Sequence, residues 1–127
     1  MVARAIHTAE APEAIGPYSQ AVVMDGWLYT AGQIGLVSGT GELVSPEVGE
    51  QAEQVFRNLA GVLAAAGGGF RNVVKATVYL VDMNDFDTVN AIYGRQFEQP
   101  YPARSTVAVA GLPKGARIEV DLVARLP

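Results

Sequence analysis

Two residues stand out as able to do chemistry on a small anion: Arg104 and Glu119, carried on two successive expected strands of this 127-residue chain. Pro100 and Pro102 stiffen the approach to Arg104, so its guanidinium leaves a backbone with few alternative conformations. A planar, permanently charged fork held in that way suits a planar anion bound by two parallel hydrogen bonds, which points to a small carboxylate ligand. Taken alone, an arginine on a strand also pairs with surface carboxylates, and a lone strand glutamate is usually solvated. The rest of the chain narrows the chemistry. The single histidine, His7, lies near the terminus with no serine or carboxylate arrangement around it, and there is no cysteine. Disulfides, thiolate ligands and thiol nucleophiles are therefore excluded, and neither a metal nor an organic cofactor is expected. Asp82, Asn84, Asp85 and Asp87 resemble a calcium loop only faintly, since Phe86 and Tyr93 fall where oxygen ligands are needed, and they read as helix capping. The glycines at 39, 41 and 67–69 lack the lysine and hydroxyl of a phosphate loop and read as turns.

The elements that must position Arg104 and Glu119 follow from the hydrophobic pattern. After a short strand near Arg4 to His7, strands at Ala21 to Met24 and Trp27 to Thr30 flank Asp25-Gly26, a dipeptide suited to a two-residue hairpin turn. Ser45-Pro46-Glu47 opens a helix, with serine as cap, proline at the first position and Glu47 and Glu50 near the positive end. Its apolar stripe is Val48, Ala52, Val55, Phe56, Leu59, Val62, Leu63 and Ala66, and Gly67 ends it. Val73 to Val81 reads as a strand. Asn84 and Asp87 open a second helix with Phe86, Val89, Ile92 or Tyr93, and Phe97 on its buried side, stopped by Pro100 and Pro102. Arg104 to Val109 and Arg117 to Leu126 are the final strands, joined through Gly111 to Ala116.

Alternation along the last strand puts Ile118, Val120, Leu122 and Ala124 on one face, expected under the helices, and Glu119 on the other. In the preceding strand Ser105, Val107 and Val109 are expected on the covered side, so Arg104 and Glu119 should both point away from the helices. The uncovered face then keeps apolar residues such as Ala108 and Val123, and self-association is the simplest cover.

Length and composition bound the partners. With 50% hydrophobic residues the chain supports one core, so residues 1–127 are expected to form one domain. A net charge of −4 and the lack of a Lys/Arg run argue against nucleic acid as a primary partner. No apolar run reaches the length of a signal or spanning segment, so no membrane partner is expected and a cytoplasmic setting is.

Several separated motifs, in order and spacing, resemble the RidA (YjgF) family of reactive-intermediate deaminases: Ala14-Ile15-Gly16-Pro17-Tyr18-Ser19-Gln20, Ala31-Gly32-Gln33-Ile34, Asn90, Pro102-Ala103-Arg104-Ser105 and Ile118-Glu119. The fold this resemblance implies is α+β, a mixed six-stranded sheet with two helices on one face, chorismate-mutase-like, assembled as a homotrimer with pockets between subunits. The implied activity is hydrolysis of 2-imino acids, derived from enamines such as 2-aminoacrylate or 2-aminocrotonate, to 2-keto acids and ammonia. The resemblance implies that Arg104 clamps the substrate carboxylate, that Glu119 orients or deprotonates the water and that Tyr18 lines the pocket. By the same resemblance Gly32 and Thr106 contribute mainly backbone groups and Asn90 a supporting contact. Many relatives carry serine at the position of Ala31 and cysteine at that of Thr106, changes that a pocket using backbone groups there tolerates. The competing function is a non-catalytic trimer that binds 2-keto acids in the same pocket, which Arg104 suits equally well.

Overall fold

A computed structural model describes residues 2–127. Its sheet runs in the order β1-β2-β3-β7-β5-β6, where β1 is Arg4–Ile6, β2 Ala21–Met24, β3 Trp27–Thr30, β5 Val73–Leu80, β6 Ala103–Ala108 and β7 Ile118–Arg125. A seventh strand, β4 at Gln33–Ile34, pairs with β7 beyond the end of β3. Only β5 and β6 run parallel, connected through a helix; every other pairing is antiparallel. The expected six-stranded sheet is thus a seven-stranded one, because the β3 position is split. Tyr29 pairs with Val123 and Gln33 with Val120, and across the gap the Leu122 N–H donates to the Thr30 hydroxyl at 3.0 Å. A side chain replaces a ladder bond there, freeing residues 31 and 32 to bend.

The β2–β3 hairpin turns on Asp25 and Gly26 with φ of 54° and 79°, both in the left-handed region that asparagine, aspartate and glycine tolerate best. Helix α1, Val48–Ala65, starts two residues later than the sequence pattern suggests. The Ser45 hydroxyl accepts from the Glu47 N–H at 3.0 Å in a turn ahead of the helix, and Glu47, with extended backbone, occupies the N-cap. At its other end Gly67, at φ +85°, lets the Gly68 N–H reach the Leu63 carbonyl at 2.9 Å and close the helix. Helix α2, Phe86–Gly94, has Asp85 rather than Asn84 at its N-cap, with no side-chain cap bond; Asp82 instead caps the short turn Met83–Asp85 that precedes it, its carboxylate accepting from the Asn84 N–H at 2.9 Å. It also ends before Phe97. The chain folds back through i to i+3 bonds at Arg95 and Gln96, which lays Phe97 against Tyr93 with ring centroids 4.6 Å apart.

Both helices pack on the sheet face made by Val23, Leu28, Ala76, Val78, Leu80, Ile118, Val120, Leu122 and Ala124. Fully buried Leu59, Leu63 and Phe56 anchor α1 there, each burial contributing about 2 kcal/mol or more. A polar row on the same helix has no counterpart in the expected apolar stripe: Gln51, Gln54 and Asn58 are buried, Gln51 and Asn58 tie the 34–45 loop and the start of β7 to α1, and Gln54 donates to Asn58. Asn58 donates to the Leu36 carbonyl at 2.9 Å, while Gln51 donates to the Ser45 carbonyl at 2.9 Å and accepts from the Arg117 N–H at 2.8 Å. The opposite sheet face is bare of helices and carries Met24, Trp27, Tyr29 and Val107, all exposed. Among the described residues no helix is long and apolar enough to cross a membrane.

Candidate active site

The parallel register corrects the expected facing of β6. Arg104 pairs with Ala76, Thr106 with Val78 and Ala108 with Leu80, and those three β5 residues are buried under the helices. Paired residues share a face, so Arg104, Thr106 and Ala108 lie on the helix side while Ser105 and Val107 lie on the bare side. Lys75 donating to the Ser105 hydroxyl at 3.3 Å agrees with this. Glu119 pairs with Tyr79 and lies on the bare face, as expected. Within one chain, therefore, Arg104 and Glu119 sit on opposite sides of the sheet, on strands separated by β5.

Each belongs to its own cleft. The larger, of about 780 Å³, is lined by Tyr18, Gly32 and Glu119 among others. Tyr18 reaches it from a loop that begins its turn at Gly16, with φ +123°, and is exposed over about half its surface. The loop is anchored by Gln20, which is buried and saturated: it accepts from the Thr8 N–H at 2.7 Å and donates to the carbonyls of Thr8 at 3.0 Å and Pro12 at 2.8 Å. Gly32 has a sharper requirement. A Cβ there would lie 2.6 Å from both Cδ and Oε1 of Glu119, so the glycine exists where the carboxyl group lies directly on the backbone. Glu119 is half-buried, and burial first, then the charge of Asp121 on the same face, raises its pKa above the ordinary glutamate value. The same Asp121 accepts a hydrogen bond from the Tyr79 hydroxyl at 2.9 Å. Lys114 also lines this cleft, with its ammonium donating to the Gly41 carbonyl at 3.0 Å.

The smaller cleft, of about 430 Å³, is lined by Asn90, Tyr93, Gly94, Tyr101, Pro102 and Arg104. One Arg104 nitrogen donates to the Asn90 Oδ1 at 2.7 Å. Its guanidinium carbon stands 4.6 Å from the Tyr93 ring centroid and 5.5 Å from that of Phe86. Among the described residues no carboxylate forms an ion pair with it. Thr106 is half-buried two residues along the same face and lines neither cleft. The structure thus brings Tyr18, Gly32 and Glu119 together, brings Asn90 and Arg104 together, and keeps the two sets apart. Gln20, Phe86 and Tyr93 carry no site role in the sequence pattern alone, where the two aromatics are visible only as members of a helical stripe. Among the described residues no group of three or more His, Asp or Glu is placed to hold a metal ion.

A cation left without a counter-ion in one cleft and a half-buried carboxyl group in another are groups chemically suited to a small acid, on an α+β fold with a one-sided helical layer. A family model described as Endoribonuclease L-PSP matches residues 8–126, and the chain belongs to this family, also called YjgF or RidA. It is 53% identical to the human 2-iminobutanoate/2-iminopropanoate deaminase over 98% of this chain and 90% of that one. Among solved structures, RidA from an Antarctic Psychrobacter superposes with a TM-score of 0.93 at 41% identity, covering 97% of this chain and 99% of the other. TdcF from E. coli with bound serine gives a TM-score of 0.91 at 38% identity, covering 98% and 99%.

Proposed function

We infer that this chain is a 2-iminobutanoate/2-iminopropanoate deaminase, as its human relative is named, and that its working site is completed between copies of a homotrimer. The observation that carries the second part is the opposite facing of Arg104 and Glu119, because one small acid cannot touch both from within a single chain. The bare sheet face, with Trp27 and Tyr29 exposed, and the unpaired outer edge of β6 support a cover made of further copies. Seating the β6 edge of one copy beside the Tyr18–Gly32–Glu119 cleft of the next puts a carboxylate clamp opposite a base.

In that assembly Arg104 holds the substrate carboxylate through the N–H groups that Asn90 leaves free, and Tyr18 and the Gly32 N–H bound the reacting end. Glu119 takes a proton from water as the oxygen adds to the imine carbon and the C=N electron pair moves to nitrogen. It returns that proton to nitrogen to give the amino alcohol, then takes the hydroxyl proton as the C=O bond forms and passes it to the nitrogen as the C–N bond breaks, so ammonia departs and the product is a 2-keto acid. The raised pKa of Glu119 makes its carboxylate a stronger base for the first of these transfers. Thr106 and Ala31 take part through backbone at most, and no metal or organic cofactor enters this route. The same reading sets residues 1–127 as one domain working in the cytoplasm on small molecules rather than nucleic acid or membrane.

The test couples a threonine or serine dehydratase to the protein and follows 2-keto acid release faster than spontaneous hydrolysis supplies it. Acceleration is expected. Binding of 2-keto acid without any acceleration would leave the non-catalytic binder as the function.

A further inference from the structure

We propose that Tyr93 and Phe86 are positioning residues for substrate binding, forming an aromatic shelf on α2 that fixes the orientation of the Arg104 guanidinium. The proposal rests on the deaminase reading above. Phe86, Asn90 and Tyr93 are spaced four and three residues apart, so they share one face of the helix. All three meet Arg104: two rings at 5.5 and 4.6 Å from the guanidinium carbon and an amide oxygen 2.7 Å from one nitrogen. A ring quadrupole attracts a cation without neutralising it, whereas a carboxylate would compete with the substrate for the same N–H groups. The shelf thus solves a specific problem, holding a flexible arginine still while leaving its charge and remaining donors available.

Tyr93 is also rigid. Its ring is buried at 6% exposure and packs against Phe56 and Phe97 with centroids 6.0 and 4.6 Å away, and Phe97 in turn meets Phe70 at 5.3 Å. A guanidinium resting on the end of such a cluster inherits its order. The Tyr93 hydroxyl has no part in this. It is the buried side-chain polar atom without a hydrogen-bond partner among the described residues, so the ring and not the hydroxyl is the working group.

The test compares Tyr93→Phe, Tyr93→Leu and Phe86→Leu for steady-state kinetics, 2-keto acid affinity and the NMR shift of the Arg104 Nε–H, which nearby rings displace. Tyr93→Phe should match the parent within about twofold, since the ring is retained. Tyr93→Leu should raise KM and the 2-keto acid Kd about tenfold with a smaller change in kcat, and should collapse the ring-induced shift. Phe86→Leu, at the partly buried rim, should raise KM about threefold, and it carries the test if Tyr93→Leu does not fold. A merely structural role would lower the melting temperature while KM stayed at the parent value, and folded leucine variants behaving so would overturn the proposal. Should the parent neither bind 2-keto acid nor hydrolyse imines, the deaminase reading fails on its own. The Arg104 shift in Tyr93→Leu then still decides whether the shelf exists.

Discussion

The two clefts divide the chemistry between them. The Glu119 cleft is wide, built from loops hung on the β3–β4–β7 ladder, and contains an acid whose proton affinity is raised, while its lysine is turned onto a backbone carbonyl. The Arg104 cleft is small, sits at the sheet edge on two aromatic rings and contains a cation with no carboxylate in its lining. One half can move protons and the other can hold an anion. Neither half alone can do both, and the difference between them is what the proposed assembly of copies would reconcile.

The largest effect expected from breaking this division is at the clamp. Arg104→Ala removes a charge-assisted pair worth about 2 to 4 kcal/mol, so imine hydrolysis should fall to background while circular dichroism and oligomer size stay unchanged. Arg104→Lys should recover little, because a point charge lacks the fork that fixes the imine carbon. Glu119→Gln should separate the halves: turnover lost, 2-keto acid affinity by calorimetry largely kept, since the amide cannot take the water's proton. Equal loss of affinity in both variants would erase the distinction between the clefts.

Gly32→Ala is a finer probe of the Glu119 half. Its Cβ would press on the glutamate carboxyl at 2.6 Å, and displacing the base should lower kcat by about tenfold to a hundredfold with KM little altered. The pH profile probes the same carboxyl group. Glu119 must be ionised to act as base, and burial and Asp121 raise its pKa, so the acid limb of kcat/KM should lie above the ordinary glutamate range. Asp121→Asn removes the lesser cause and should move that limb to lower pH without reaching the unperturbed value. The smallest effect is expected at Asn90→Ala, which loses one hydrogen bond to an exposed arginine and should raise KM severalfold, by about 1 kcal/mol.

Much of this arrangement is legible in the sequence because it rests on local rules. Asp25-Gly26 specifies the hairpin, the α1 stripe its buried face, and strict alternation puts Glu119 opposite Ile118 and Val120. The facing of β6 is not legible. Ser105, Val107 and Val109 look more apolar than Arg104, Thr106 and Ala108, yet on an edge strand neither set is fully buried, so burial pattern carries little information about side. The parallel pairing to β5 decides it, and that is a long-range fact. Strand β4 escapes sequence reading because two residues cannot show a period. The start of α1 is misplaced when Pro46 is read as the first helical residue, because the Ser45 hydroxyl closes a local turn onto the Glu47 N–H ahead of the helix, and a serine before a proline is compatible with either arrangement. Tyr93 and Phe86 read as core, which Tyr93 is; their contact with a cation eleven or more residues away emerges only once α2 is laid beside β6.

Mixing two inactive variants tests the central claim most directly. Arg104→Ala and Glu119→Gln proteins, each without turnover alone, are unfolded together in equal amounts, refolded and assayed for 2-keto acid release. If each site takes Arg104 from one copy and Glu119 from its neighbour, about one site in four receives both intact residues in randomly mixed trimers, and about a quarter of the parent activity should return. If the mixed oligomers form and remain as inactive as the separate variants, both residues act within one chain and the division of the site between neighbouring copies is wrong.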